Sequence, residues 1–336
     1  MKSDLPKVLH SVCGLPMLLH VLSAASAVGA EHTVVVLGHG HELVLPLLPS
    51  GVEVALQAQQ LGTGHALLSA SGEIPEGAML VLPGDTPLIT GAALEALVRA
   101  HAESGAAVTV LTMVLDDPTG YGRVVRDADG QVLRIVEHRD ASAEELAICE
   151  VNAGMYVLPA PESFELLRQT SMDNDQGELY LTDVVELLRA AGARVQASII
   201  ADPRLVLGVN SRVELADAER ILGERIKEEW MIAGVTLIDP ASTTIESTVI
   251  LETDVLIRPF TSLRGGTSVK AGSEVGPCST LIDTRVGSGC RLPHVYAESV
   301  VVPDGEAIEP FTRLIGSKND AQPGAIGDTL QRGDRT

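Results

Sequence analysis

Residues 243–283 read TTIESTVILETDVLIRPFTSLRGGTSVKAGSEVGPCSTLID, and this stretch repeats every six residues. Ile245, Leu251, Ile257, Leu263, Val269, Val275 and Leu281 follow one another at that interval without a miss. Two positions before each stands a small or β-branched residue: Thr243, Val249, Val255, Thr261, Thr267, Ser273 and Ser279. A period of six matches neither the helical repeat nor the two-residue alternation of a half-buried strand. Each unit therefore reads as one flat side of a parallel β-helix, and three units close a triangular coil of about 18 residues. The aliphatic residue points inward and the small one fits the corner. Phase slips after Leu281 and resumes at Val302, Ile308 and Leu314, which predicts about four coils.

Before the repeat, the pattern changes twice. Residues 212–232 have helical spacing, with Leu215, Ala218, Leu222, Ile226 and Trp230 on one face. Trp230 reads as a packing residue on a connecting helix. Further upstream, short apolar runs at 33–37, 53–57, 78–82 and 107–114 alternate with helical stretches at 16–28, 64–71 and 91–103. Strands separated by helices predict parallel crossovers in an open sheet, which binds ligands at the carboxyl ends of its strands. Short strands at 122–125, 132–136 and 150–158 then read as an insertion forming a pocket wall. A helix is expected over 179–191 and a strand over 194–201.

The bulk composition agrees with two domains. The chain has 336 residues, 45% of them hydrophobic and only 2% aromatic. The core must be built from Ala, Val, Leu and Ile, as in parallel sheets packed by helices. The net charge of −21 argues against nucleic acid as a partner. No apolar run reaches the roughly 20 residues of a membrane span. Cys13, Cys149, Cys278 and Cys290 show no metal-ligand spacing, so they are expected as free, buried thiols in a reducing compartment.

Three segments can carry chemistry. Lys7, in a Pro-containing loop, is either a solvated lysine or a phosphate contact. The turn from Gln57 through Gly62 and Thr63 to Ala66 follows a strand and opens a helix. Its glycines allow close backbone approach, and the Gln57 amide can read a base edge, although such a turn is also ordinary loop chemistry. Finally, the strand ending Leu80-Val81-Leu82 leads into Pro83-Gly84-Asp85. Asp85 there is either a Mg2+ ligand or the cap of the next helix.

Together these segments resemble the sugar-1-phosphate nucleotidyltransferases. More narrowly, they resemble the bacterial bifunctional UDP-N-acetylglucosamine pyrophosphorylase/glucosamine-1-phosphate N-acetyltransferases. The matching blocks, in order, are SDLPKVLH (3–10), LQAQQLGTGHA (56–66), GDTPL (84–88), DPTGYGRVVR (117–126), IVEHRDA (135–141), EVNAGMYV (150–157), QGELYLTD (176–183) and GVNSRVEL (208–215). The resemblance implies an α/β, Rossmann-like nucleotidyltransferase domain over 1–211, a linker helix over 212–234 and a short left-handed parallel β-helix over 235–315. The tail over 316–336 is expected to be disordered.

It also implies a reaction. UTP and N-acetylglucosamine-1-phosphate would give UDP-N-acetylglucosamine and pyrophosphate in the cytoplasm, in the supply line of peptidoglycan. Mg2+ would be held by Asp85 and Asn210. Lys7 would neutralise phosphate charge, and Pro83 and Gly84 would line the nucleotide. Gln57, Gly62 and Thr63 would read uracil. Gly122, Glu137 and Asn152 would hold the sugar, with Tyr180 and Thr182 on the same wall. A homotrimer through the β-helix is the implied assembly.

Two departures qualify the resemblance. The family carries a strand and a glycine-rich loop ending Gly-Thr-Arg directly before the position of Met1, so weak turnover is expected of residues 1–336 alone. A misplaced start or a fragment accounts for this better than a defective relative. The family's acetyltransferase residues sit on later coils, and that second activity is not expected here. The competing readings are a nucleotidyltransferase for another sugar-1-phosphate and a non-catalytic nucleotide-sugar-binding or assembly module.

Overall fold

A computed structural model describes residues 1–316. The chain forms two compact units. One comprises Met1–Leu9 and Leu18–Gly208, and the other His10–Met17 and the chain from Val209 onward.

The first unit is α/β. After α1 (Met17–Ser26), strands β1 (Val34–Leu37) and β2 (Glu53–Leu56) pair in parallel. Helix α2 (Thr63–Ser69) follows, then β3 (Gly77–Val81), α3 (Gly91–Ser104), β4 (Val108–Val114), β5 (Arg123–Arg126) and β6 (Val132–Val136). The long β7 (Glu150–Ala160), α4 (Asp183–Ala190) and β8 (Val195–Ile199) complete the unit. The larger sheet runs β8-β4-β7-β5-β6, with β3 also paired to β7. Only β8 and β4 are parallel in it, and β7 is antiparallel to β3, β4 and β5. The sheet is thus mixed, where helix-linked strands alone predicted parallel neighbours. The insertion supplies β7, which lies between β3 and β4.

Local sequence explains several boundaries. Thr90 starts α3, its hydroxyl accepting from the Ala93 N–H at 3.2 Å, and Gly105 ends it at φ 63°. The helix expected over 179–191 begins only at Asp183. The backbone of Leu179 is committed elsewhere: its N–H donates to Leu61 O and its O accepts from Gly64 N–H, both at 2.8 Å. A backbone bonded sideways cannot also form a helical turn. β7 bulges between its pairings with Val110 and Thr112. Gly154 takes φ 74° there, a left-handed conformation that glycine adopts without strain.

The second unit contains α5 (Arg212–Ile232), capped by Ser211 and Glu214 in a reciprocal capping box. Three parallel sheets follow and form a parallel β-helix. Ile245, Leu263, Leu281, Ala297 and Leu314 stand in register on successive strands of one side. Leu263, Val275 and Leu281 are wholly buried. The helix runs through the apparent phase slip. Val286, Leu292 and Ala297 continue the inward columns of the three sides, but three sides there are one residue short, so strict spacing missed them.

Corner hydroxyls bind neighbouring coils together. Ser279 Oγ donates to Leu292 O at 2.7 Å and accepts from Val295 N–H at 3.0 Å. Ser273 does the same with Gly287 O and Cys290 N–H. These bonds pair backbone groups that the corner removes from the sheets.

All four cysteines are free, but Cys149 and Cys278 are exposed rather than buried. Burial, followed by Glu219 and Glu246, pushes the Cys13 thiol up to about 12. No helix among the described residues is long and apolar enough to cross a membrane. The expected disorder of the tail concerns residues that, from 317 on, lie outside those described.

Candidate active site

The first relevant geometry follows β3. The chain leaves Val81 and passes Pro83, whose carbonyl accepts from Thr86 Oγ1 at 3.1 Å. Asp85 then meets Lys7, the first residue of a short 3-10 turn, and Lys7 Nζ contacts Asp85 Oδ2. Asp85 therefore does not cap the next helix, a task Thr90 performs. Asp85 Oδ1 makes no protein hydrogen bond among the described residues.

The donor set suits a hard cation. Mg2+ takes one or two carboxylates and completes its octahedron with water and phosphate oxygens. A half-buried carboxylate with one oxygen uncommitted meets that requirement. No group of three or more potential ligands that would hold a metal without substrate occurs among the described residues. Asn210 belongs to the second unit. It is exposed, and its backbone N–H donates to Glu214 Oε2 at 2.6 Å.

The second cluster follows β2. Gln57 Nε2 donates to Gly62 O at 3.1 Å and lies 3.1 Å from His65 Nδ1. Gly62 has φ 105°, and a Cβ there would stand 2.6 Å from Leu179 O, so only glycine fits. Thr63 Oγ1 accepts from Leu181 N–H at 3.1 Å. With the two Leu179 bonds, this joins the Gln57–Thr63 turn to the 179–182 segment.

That segment leads to the third cluster. Tyr180 and Thr182 are both buried. Gln176 Nε2 donates to Tyr180 Oη at 2.9 Å. Thr182 occupies the N-cap position of α4 but makes no side-chain capping bond. Its hydroxyl donates instead to Glu137 Oε1 at 3.1 Å. Gly122 lies opposite, where an added Cβ would stand 3.1 Å from Ile135 Cγ2 and 3.5 Å from Glu137 Oε2. Asn152 N–H donates to Gly122 O at 2.9 Å, and Asn152 Nδ2 donates to Tyr156 Oη at 2.5 Å.

Burial raises the Glu137 carboxyl above its ordinary range, and Asp140, Asp183 and Glu178 add to this, while the Thr182 hydroxyl opposes it. Glu137 and Tyr180 also line a cleft of about 380 Å³ with Asp140 and Asp183.

The fold thus links Lys7 to Asp85, Gln57 to Gly62, Thr63 to Leu181, Thr182 to Glu137, and Gly122, beside Glu137, to Asn152. Gly84 sits between Asp85 and Pro83, its α-carbon facing Leu18 and Val8. Sequence reading overlooked two residues. His65, beside Gln57, lay within a quoted block and drew no notice because a lone histidine on a helix gives no signal. Arg123, 2% exposed, donates through Nη1 to Tyr121 O and lies 3.4 Å from His138 Nδ1.

An α/β unit with a lysine–carboxylate pair beyond the end of a strand, in a chain that continues into a parallel β-helix, defines a nucleotidyltransferase fused to hexapeptide repeats. Residues 1–178 match the MobA-like NTP transferase domain family. The "Bifunctional protein GlmU" of Caldanaerobacter subterraneus is 44% identical over 94% of this chain and 69% of its own length. That of Streptomyces avermitilis is 46% identical over 94% and 67%, and that of Heliobacterium modesticaldum is 43% identical over 98% and 73%. The chain belongs to the bifunctional GlmU family.

Proposed function

We infer that this chain is the uridylyltransferase that joins UTP to N-acetylglucosamine-1-phosphate, releasing pyrophosphate and forming UDP-N-acetylglucosamine for cell-wall synthesis. The observation that carries this reading is the Lys7–Asp85 pair beyond β3, in a chain of this family.

The chemistry requires no protein nucleophile. A phosphate oxygen of the sugar phosphate, anionic at neutral pH, attacks the α-phosphorus of UTP in line and pyrophosphate leaves. Two anions must approach, so neutralisation and alignment supply most of the catalysis. Mg2+, when bound through Asp85 with Asn210 as the proposed second donor, would supply positive charge at the phosphate oxygens. Lys7 adds a cation beside Asp85. Gln57, Gly62 and Thr63 are proposed to read the base, and Pro83 and Gly84 to back the nucleotide. Gly122 leaves its N–H open to the N-acetyl group, while Glu137 and Asn152 hold sugar hydroxyls with Tyr180 and Thr182 behind them.

Pyrophosphate release by the purified chain tests this. Release should require UTP, N-acetylglucosamine-1-phosphate and Mg2+ together. Equal rates with glucose-1-phosphate would refute the sugar assignment, and UDP-sugar binding with no release at any Mg2+ concentration would favour a non-catalytic module. Assembly as a homotrimer through the β-helix and residence in the cytoplasm are proposed with this function. Light scattering of the eluted protein reads the assembly directly.

A further inference from the structure

We propose that His65, acting with the Gly62 carbonyl, holds the Gln57 amide with its oxygen toward the nucleobase, and so helps select a pyrimidine whose N3 carries a proton. The proposal rests on the reading of Gln57 as a base contact. A primary amide offers two N–H donors and one carbonyl acceptor. In Gln57 both donors are engaged, at 3.1 Å from Gly62 O and 3.1 Å from His65 Nδ1. Oε1 has no protein partner among the described residues, so the face left for a ligand is an acceptor.

The two anchors differ in kind. Gly62 O is fixed by the backbone, since Gly62 abuts Leu179 O and the Leu179 bonds hold the turn. One anchor alone still lets the amide plane swing about that bond. His65, from the first turn of α2, supplies the second anchor and fixes the plane. To accept at Nδ1 it carries its own proton on Nε2. Uracil presents N3–H, a donor that Oε1 can accept. Cytosine presents a bare N3 acceptor, so two lone pairs would face each other, both stripped of water.

Calorimetric titration with UTP and with CTP, each in Mg2+, tests the proposal on the wild-type chain and on His65→Leu, His65→Gln and Gln57→Ala. The wild type should favour UTP. His65→Leu should narrow the UTP-to-CTP ratio of Kd about tenfold, one hydrogen bond's worth. His65→Gln, which keeps an acceptor, should recover part of the ratio, an outcome a merely structural role would not produce. Circular dichroism establishes that each variant is folded. If Gln57→Ala abolishes the preference but both His65 variants keep it in full, the role of His65 is refuted and the base contact stands. If Gln57→Ala leaves the ratio unchanged, the base-contact reading itself fails.

Discussion

Lys7 and Asp85, one on the N-terminal turn and the other just beyond β3, meet as an ion pair. Side-chain exposure is 39% for the lysine and 20% for the aspartate, so water still screens the pair and it adds little to stability. On the proposed reading its value is positional: it holds a cation and a hard-oxygen donor together for a triphosphate's charge.

Removing either partner should therefore damage turnover more than folding. Asp85→Asn is expected to lower kcat by about a hundredfold or more, with Lys7→Ala similar. Because the two act as a unit, the double variant should lose much less than the product of the single losses. Initial rates of pyrophosphate release across the four proteins measure the coupling, and full additivity would contradict it.

Thr182 spends its hydroxyl on Glu137 rather than on its own helix. Thr182→Val keeps the shape and removes that bond. The KM for the sugar phosphate should rise about tenfold while the KM for UTP stays put. A rise in both would mean that the bond supports the fold and not the sugar wall.

Gly122→Ala would bring a methyl 3.1 Å from Ile135 Cγ2 and 3.5 Å from Glu137 Oε2. The expected result is weaker sugar-phosphate binding with UTP binding intact, read from separate titrations. Unaltered affinity for both would remove Gly122 from the sugar site.

Glu137 gives a pH signature. Its folded pKa is raised, chiefly by burial, so the folded state holds this proton more tightly than the unfolded chain. Its contribution is most favourable below the unfolded pKa. It turns unfavourable as pH climbs from there through the raised folded pKa, and stays so above. Glu137→Gln should thus raise the unfolding midpoint at neutral pH, with the gain disappearing in acid, even as sugar binding weakens. Thermal melts across pH would show a gain that does not vary if the carboxyl is not involved.

In the β-helix, Leu263 is wholly buried in the inward column. Leu263→Ala should cost about 2–5 kcal/mol. Trp230 is the chain's single tryptophan and lies on α5 of the same unit, so its fluorescence in a denaturant titration reports the loss.

Much of this architecture could be read from the residues in order. The six-residue period declared the β-helix because each coil repeats one side-chain environment, and chemistry that repeats in space leaves a repeat in sequence. The reading faltered after Leu281, where shorter sides shifted the spacing while geometry kept Val286, Leu292 and Ala297 inside. Asp85 was legible as a residue at the end of a strand, yet the sequence could not choose between a helix cap and a metal ligand.

Pairings between distant segments were decided in three dimensions. Nothing in a single chain's order announces that Leu179 will bond to Leu61 and Gly64 and so delay α4. Nor does it announce that β7 will run antiparallel between β3 and β4. Local periodicity records which face of an element is buried. Hydrogen bonds between remote backbones, and the orientation of an amide such as Gln57, depend on what the folded chain brings alongside.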